Sequence, residues 1–264
     1  MTLTNANYYS REANIEYMSV SQYKQFKKCE AAAMAQLRGK WEPPKTTALL
    51  VGSYVDAWFE GTLDEFKKEH PEIFKKDGTL KADFQQAEDI IERIQKDEEF
   101  MRYMSGRKQV IRTAKLFGCK WKIKIDSRLR DKIVDLKIMR SMERIMGKSF
   151  VEHWLYDLQM AIYAAVEMIA LKRKTSLSTF LAVATKQSPP DIDVIEIPAW
   201  RREELLREVE CSMPHILEVK SGKIEPERCG VCEYCRATKK IEKPIDFELV
   251  GLSNAERKAI FGTL

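Results

Sequence analysis

Trp121-Lys122-Ile123-Lys124-Ile125-Asp126, followed after a short loop by Lys132-Ile133-Val134-Asp135-Leu136-Lys137, reads as two adjacent strands of one antiparallel hairpin. In the first run Trp121, Ile123 and Ile125 alternate with Lys122, Lys124 and Asp126, the period-2 pattern of a half-buried strand. In the second run Asp135 and Lys137 are two residues apart and share one face of the strand. Two carboxylates and an ammonium converging on one sheet face can hold a divalent cation and polarise a water. The pattern therefore points to a metal-dependent hydrolase. The bland alternative is an ordinary strand with surface charges, because Asp-x-Lys is a short motif that chance supplies often.

Working outward, strands are expected near 108–116, 120–130 and 132–139, then at 178–185 and 193–197, with Ser188-Pro189-Pro190 between the last two. Helices are expected over 19–38, with Ser21 as cap, and over 47–59. Val151, Trp154, Leu155, Leu158, Ile162, Ala165 and Ile169 recur at helical spacing and predict a helix over 150–171. Residues 62–105 read as an acidic helical insertion, and a charged helix is expected over 201–219. Pro43-Pro44 breaks the chain before the second helix. The expected fold class is α/β, a mixed central β-sheet flanked by helices, in one domain spanning 1–264 with a core at about 45–200.

Hydrophobic residues make up 44% and charged residues 32% of the 264 positions, an ordinary balance for a chain that builds a core. No apolar run is long enough for a membrane span, and Met1 to Ile15 lacks a secretory pattern, so a cytoplasmic protein with no membrane partner is expected. The net charge of +5 is modest, but its distribution is uneven. Residues 101–148 carry 15 Lys and Arg against 4 Asp and Glu, whereas 54–100 carry 7 against 14. A basic block wrapped around two carboxylates suits a polyanionic substrate brought to a metal, although a charge run is more often just a solvated surface. There is no glycine-rich phosphate loop, and His70, His153 and His215 accompany no recognisable nucleophile.

The hard oxygen donors Asp126 and Asp135, with the Leu136 backbone carbonyl next in line, suit Mg²⁺ or Mn²⁺, and Lys137 would stabilise charge beside them. Gln159 and Tyr163 are four apart on the long helix and share a face; Gly52 and Asp56 are four apart on an earlier one. The bland readings are a helix side facing a neighbour and a helix-surface acid. Six cysteines are present, and Cys229, Cys232 and Cys235 form Cys-x-x-Cys-x-x-Cys within a C-terminal segment of about 220–264. Three thiolates need a fourth ligand to close a zinc or iron–sulfur site. Cys29 is the natural candidate and His215 a weaker one. Cys119 and Cys211 read as ordinary half-buried residues.

The ordered set Gly52-Ser53-Tyr54-Val55-Asp56, Asp126, Asp135-Leu136-Lys137 and Gln159-Met160-Ala161-Ile162-Tyr163 resembles the PD-(D/E)XK nuclease superfamily, and most closely its RecB, RecE and lambda-exonuclease branch. The resemblance implies a restriction-endonuclease-like core. Asp56, Asp126 and Asp135 would be metal ligands, Lys137 the catalytic lysine, and Gln159 and Tyr163 would position substrate or water. Asp56 stands where many relatives carry histidine, and Ile138 where many carry threonine. The implied activity is a Mg²⁺- or Mn²⁺-dependent deoxyribonuclease that resects linear duplex DNA from an end, 5′ to 3′. Its single-stranded product would serve recombination or repair with a single-strand annealing protein, as in similar phage and prophage exonucleases, and the enzyme itself could be a homo-oligomer.

The quartet Cys29, Cys229, Cys232 and Cys235 is similar to the cluster of AddB-type iron–sulfur nucleases, which implies [4Fe-4S]; zinc is the alternative. Lys120, Lys122, Lys124, Arg128 and Arg130 are candidate phosphate contacts, which fix register without reading sequence. Trp41 and Trp58 are candidates for stacking near the site, with core packing the rival role for Trp58. The competing functions are a catalytically silent DNA- or partner-binding module on the same fold and an iron–sulfur nuclease of another repair pathway.

Overall fold

The computed structural model describes residues 1–44, 46–241 and 244–261. Residues 242, 243 and 262–264 of the expected C-terminal segment lie outside the described residues. The backbone clusters into two compact units: Met1–Pro44, Phe117–Lys120 and Glu210–Leu264 form one, Lys45–Leu116 and Trp121–Val209 the other.

The first unit opens with α1 (Arg11–Glu16), α2 (Val20–Lys28) and α3 (Glu30–Leu37). Serines start the first two: Ser10 Oγ accepts from the Ala13 N–H and Ser19 Oγ from the Gln22 N–H. The expected single helix over 19–38 is two helices. Cys29 is extended (φ −168°, ψ 107°), ending α2 and preceding α3, so its side chain leaves the helical register. The unit is completed by the end of a long later helix, by α11 (Glu233–Ala237) and by α12 (Asn254–Phe261).

The second unit begins with α4 (Thr47–Glu60), α5 (Leu63–Glu69), α6 (Ala82–Gln95) and α7 (Glu98–Tyr103). Helix α4 starts on a Thr46 cap and stops at Gly61, whose φ of 74° needs a residue without a Cβ. Val51, Tyr54 and Val55 of α4 pack with Phe84, Ala87, Ile90, Ile91 and Ile94 of α6 in one continuous core. Next come β1 (Val110–Leu116), β2 (Cys119–Ile125), β3 (Ser127–Arg128) and β4 (Lys132–Met139). After them follow α8 (Phe150–His153), α9 (Tyr156–Ala170), β5 (Ser178–Thr185), β6 (Ile192–Ile197) and α10 (Ala199–Ser221).

The sheet that carries the site is mixed, in the order β3-β4-β5-β6, with β4 and β5 parallel and both outer pairs antiparallel. Val134 and Leu136 of β4 point into the core shared with α4 and α6. The alternating residues Asp135 and Lys137 therefore face the opposite side, where Gln159 of α9 lies. A mixed sheet between helical layers is thus the architecture, as the binary pattern predicts.

Two further expectations need correction. The strand expected over 120–130 is interrupted at Asp126: β2 pairs with β1, and only Ser127 and Arg128 pair with β4, opposite Val134 and Ile133. One residue before that register, the Asp126 carboxylate takes the Leu136 N–H at 2.9 Å, a donor that a continuing strand would have paired through its backbone. The helix expected over 150–171 is also broken, at Leu155, which adopts φ 54°.

Gly106 holds the end of β3 in place. Its N–H donates to Ser127 Oγ at 2.9 Å, and Ser127 Oγ donates to the Tyr103 carbonyl at 2.9 Å. A Cβ at Gly106 would lie 2.6 Å from the Arg128 carbonyl carbon and 2.7 Å from Ser127 Oγ. Backbone cannot yield as a flexible side-chain tip can. Gly106→Ala is expected to cost about 1–3 kcal/mol, the range for overpacking, read as a lowered midpoint in thermal or urea unfolding.

Candidate functional site

Strand β4, the Asp126 turn and helices α4 and α9 bring Asp56, Asp126, Asp135, Lys137 and Gln159 together. Asp135 is 2% exposed. One of its oxygens accepts from Gln159 Nε2 at 2.7 Å, and the other is ion-paired with Lys137 Nζ. Lys137 Nζ also donates to the Leu136 carbonyl at 3.2 Å and lies 5.1 Å from the centre of the Tyr156 ring. In this arrangement the Leu136 carbonyl faces the lysine. Continuing the β3–β4 register by one residue puts Asp126 opposite Asp135. Tyr163 is buried one helical turn beyond Gln159.

Electrostatics ties the group together. Burial, and then the charges of Asp135 and Asp56, push the Asp126 carboxyl well above the usual carboxylate range. Asp56 is pushed up to about 7, mainly by burial; Lys137 pulls it down, while Asp135 and Glu60 push it up. Burial alone would lower Lys137, but Asp135 and Asp126 outweigh it and hold the ammonium above its ordinary value. Lys137 is therefore a fixed cation, not a base, in this form. Three carboxylates surround it, and their mutual repulsion is what a second cation would relieve.

The donor set fits a hard divalent ion: it consists of carboxylate oxygens on a buried face. Among the described residues, the cysteine quartet is the set of three or more His, Cys, Asp or Glu whose donor atoms all fall within 4.8 Å of one another. Asp56, Asp126 and Asp135 are not among such sets; a hard divalent ion needs only one or two carboxylates together with waters.

Several participants escape a reading by motif. Tyr156 stacks against Lys137, Glu60 acts on Asp56 one turn along α4, and Lys108 and Lys124 act on Asp126 and Asp56. The spacing of Glu60, four after Asp56, is a signal that could have found it; nothing in the pattern marks Tyr156.

The proposed phosphate contacts divide. Arg130 is exposed and Lys124 half-buried. Lys122 is only 1% exposed, at the covered middle of β2, so it cannot reach a phosphate from where it stands. Arg128 and Arg112 both bind the buried Glu167, each at 2.9 Å, and serve that ion network. Lys120 lies in the other unit, paired with Glu16 at 2.7 Å. Trp58 packs edge-on against Phe59 beside the α4–α6 core, and Trp41 packs against Tyr234. The exposed tryptophans are Trp154 and Trp200.

In the first unit Cys29, Cys229, Cys232 and Cys235 converge. Cys29 and Cys235 Sγ are 3.6 Å apart, and Cys229 and Cys235 Sγ 3.9 Å apart. His215 is not in this set; it bonds Glu30 at 2.6 Å. Cys119 is half-buried and Cys211 exposed, both outside the quartet.

Comparison with known proteins bears on the family and the fold. A family model described as "PDDEXK-like domain of unknown function (DUF3799)" matches residues 19–238. A crystal structure of a "putative exonuclease" from Eubacterium rectale superposes with a TM-score of 0.90 at 50% identity, covering 95% of this chain and 99% of that one. A second solved structure, of SSO0001, covers 81% of this chain and 92% of that one at 15% identity, but its TM-score of 0.29 is too low to bear on the fold. No curated protein matches the chain. The match of the family model over most of the sequence, with the shared fold of a half-identical relative, makes this chain a member of the PDDEXK-like domain family.

Proposed function

We propose that this chain is a metal-dependent deoxyribonuclease, an exonuclease acting on linear duplex DNA. The observation that carries the reading is Asp135, held between Lys137 and Gln159 with Asp126 on the neighbouring turn. The family match and the "putative exonuclease" relative support it. The resemblance to lambda-type exonucleases adds the finer reading: 5′ to 3′ resection, Mg²⁺ or Mn²⁺ as cofactor, and a product strand passed to an annealing protein in the cytoplasm. We assign the catalytic core to about 45–200, with 62–105 as an insertion.

Asp126 and Asp135, with Asp56 behind them, would hold the ion, which when bound supplies a Lewis acid for the phosphoryl oxygen and an activated water. The chain's own residues do the rest. Gln159 fixes the Asp135 carboxylate by donating to one oxygen, so its orientation does not depend on the ion. The Leu136 N–H does the same for Asp126. Lys137 keeps its proton and places a positive charge where a phosphate oxygen gains negative charge. Phosphate contacts outside the site come from exposed cations such as Arg130.

Gln159→Ala is expected to slow cleavage by roughly 10- to 100-fold, the worth of one hydrogen bond to a charged group, read as initial rates on a labelled duplex. The decisive assay offers end-labelled linear duplex and covalently closed circles in Mg²⁺, Mn²⁺ or EDTA. Loss of the linear form alone, in metal alone, supports the proposal. Nicking of circles would make the protein an endonuclease. No cleavage with either metal would leave a silent binding module.

A further inference from the structure

We infer that Cys29, Cys229, Cys232 and Cys235 hold a single zinc ion in a closed structural site, and not the cubane iron–sulfur cluster that the similarity to AddB-type nucleases implies. The inference is independent of the nuclease reading. It rests on sulfur spacing. Four sulfurs at the corners of a tetrahedron, each about 2.3 Å from one central ion, lie about 3.8 Å apart. The distances of 3.6 Å for Cys29–Cys235 and 3.9 Å for Cys229–Cys235 bracket that edge, and all four donors fall within 4.8 Å of one another. In a cubane each thiolate binds a different iron and radiates outward from it. Such thiolates stand farther apart than thiolates converging on one ion. The quartet is too tight for four irons and the right size for one ion.

The surroundings complete such a site. Three backbone N–H groups point at sulfur: Cys229 N to Cys29 Sγ at 3.5 Å, Cys232 N to Cys229 Sγ at 3.3 Å and Cys235 N to Cys232 Sγ at 3.5 Å. These bonds favour the thiolate form and spread the excess negative charge that four thiolates leave on a divalent ion. Lys27, Lys28, Arg228 and Lys258 outnumber Glu30 and Glu227 in the lining of the adjoining cavity, which leaves it with a positive balance beside the thiolates. Four protein ligands leave no open position, so the ion has no place for substrate or water. Soft thiolates in a tetrahedral set select zinc over the hard ions suited to Asp126 and Asp135, so the two sites sort different metals.

The test is metal and sulfide analysis of full-length protein purified without oxygen, together with its visible spectrum. About one zinc per chain, no acid-labile sulfide and a colourless solution would support the proposal. Iron and sulfide at about four each per chain, with broad visible absorption, would overturn it, as would one iron without sulfide. Protein that carries no metal and takes up no zinc on refilling would overturn it too. Cys232→Ser should weaken zinc retention against a chelator by more than about 100-fold, beyond the range set by second-layer contacts. Cys211→Ser, an exposed cysteine outside the quartet, should leave zinc content unchanged. If Cys232→Ser fails to fold, cobalt(II) replacement in the unaltered chain decides: the intense visible bands of tetrahedral thiolate coordination support the site, and their absence overturns it.

Discussion

Lys137→Ala is expected to reduce DNA cleavage by roughly 10²- to 10³-fold, the range seen when one preorganised charge-stabilising donor is removed. The alternation of β4 puts Val134 and Leu136 into the core and forces Asp135 and Lys137 to the other face. There the ammonium is fixed by Asp135 and the Leu136 carbonyl, and by the face of Tyr156. A cation fixed in this way pays no reorganisation as charge develops on a phosphate oxygen. Alanine removes it and leaves Asp135 buried beside Asp126 and Asp56, which repels all three carboxylates further. The variant should also be less stable, because Asp135 loses its buried partner, so its folded state is checked by its unfolding midpoint before rates are compared.

Rates on a labelled linear duplex, with binding measured separately in EDTA, separate the roles. Cleavage should fall while the dissociation constant changes by only a few-fold. Lys137→Arg should not rescue fully, since a planar guanidinium cannot occupy the position of a compact ammonium. Cleavage by Lys137→Ala within threefold of the unaltered protein would remove Lys137 from the site.

How much of this was legible in the sequence depends on the range of the interaction. The strand from Trp121 to Ile125 and the shared face of Asp135 and Lys137 are local, and the structure has both, but that strand pairs with β1 and not with β4 as a hairpin would require. The break at Leu155 was not legible. Leucine carries no turn signal, and the left-handed backbone there lies between α8, which starts on the capping box at Ser149, and α9. The same holds at Cys29, where the backbone is extended within an otherwise unbroken helical pattern. Lys122 misled for a related reason: alternation predicts an outward residue only where that face of a strand meets water, and the middle of β2 is covered at Lys122 although Lys120 on the same face is exposed. The bond from Gln159 to Asp135 spans 24 residues. Sequence offered the two ends through motif order, but only the packing of α9 against the sheet supplies the contact.

The second large effect is on stability. Cys29→Ala is expected to destabilise the protein by roughly 3–5 kcal/mol and to abolish its response to chelators. The thiol of Cys29 meets those of residues 229–235 across about 200 positions of chain. A metal clip over such a span acts as a cross-link does: it removes loop-closure entropy from the unfolded ensemble, for which chain-entropy arithmetic gives about 5 kcal/mol as an upper figure. Little else in the substitution should cost. Cysteine in a buried position behaves as a small hydrophobe, and alanine leaves no unpaired hydroxyl. The effect is thus mainly that of the lost clip. Urea unfolding with and without a strong chelator forms a closed comparison. Chelator should bring the unaltered protein down to the midpoint of Cys29→Ala and should not move Cys29→Ala further. The segment from 222 to 232, which reaches the quartet without regular structure, should become the first site of limited proteolysis in both cases. A Cys29→Ala protein with the original midpoint and an undiminished chelator response would show that Cys29 is not a ligand and that three late cysteines stand without it.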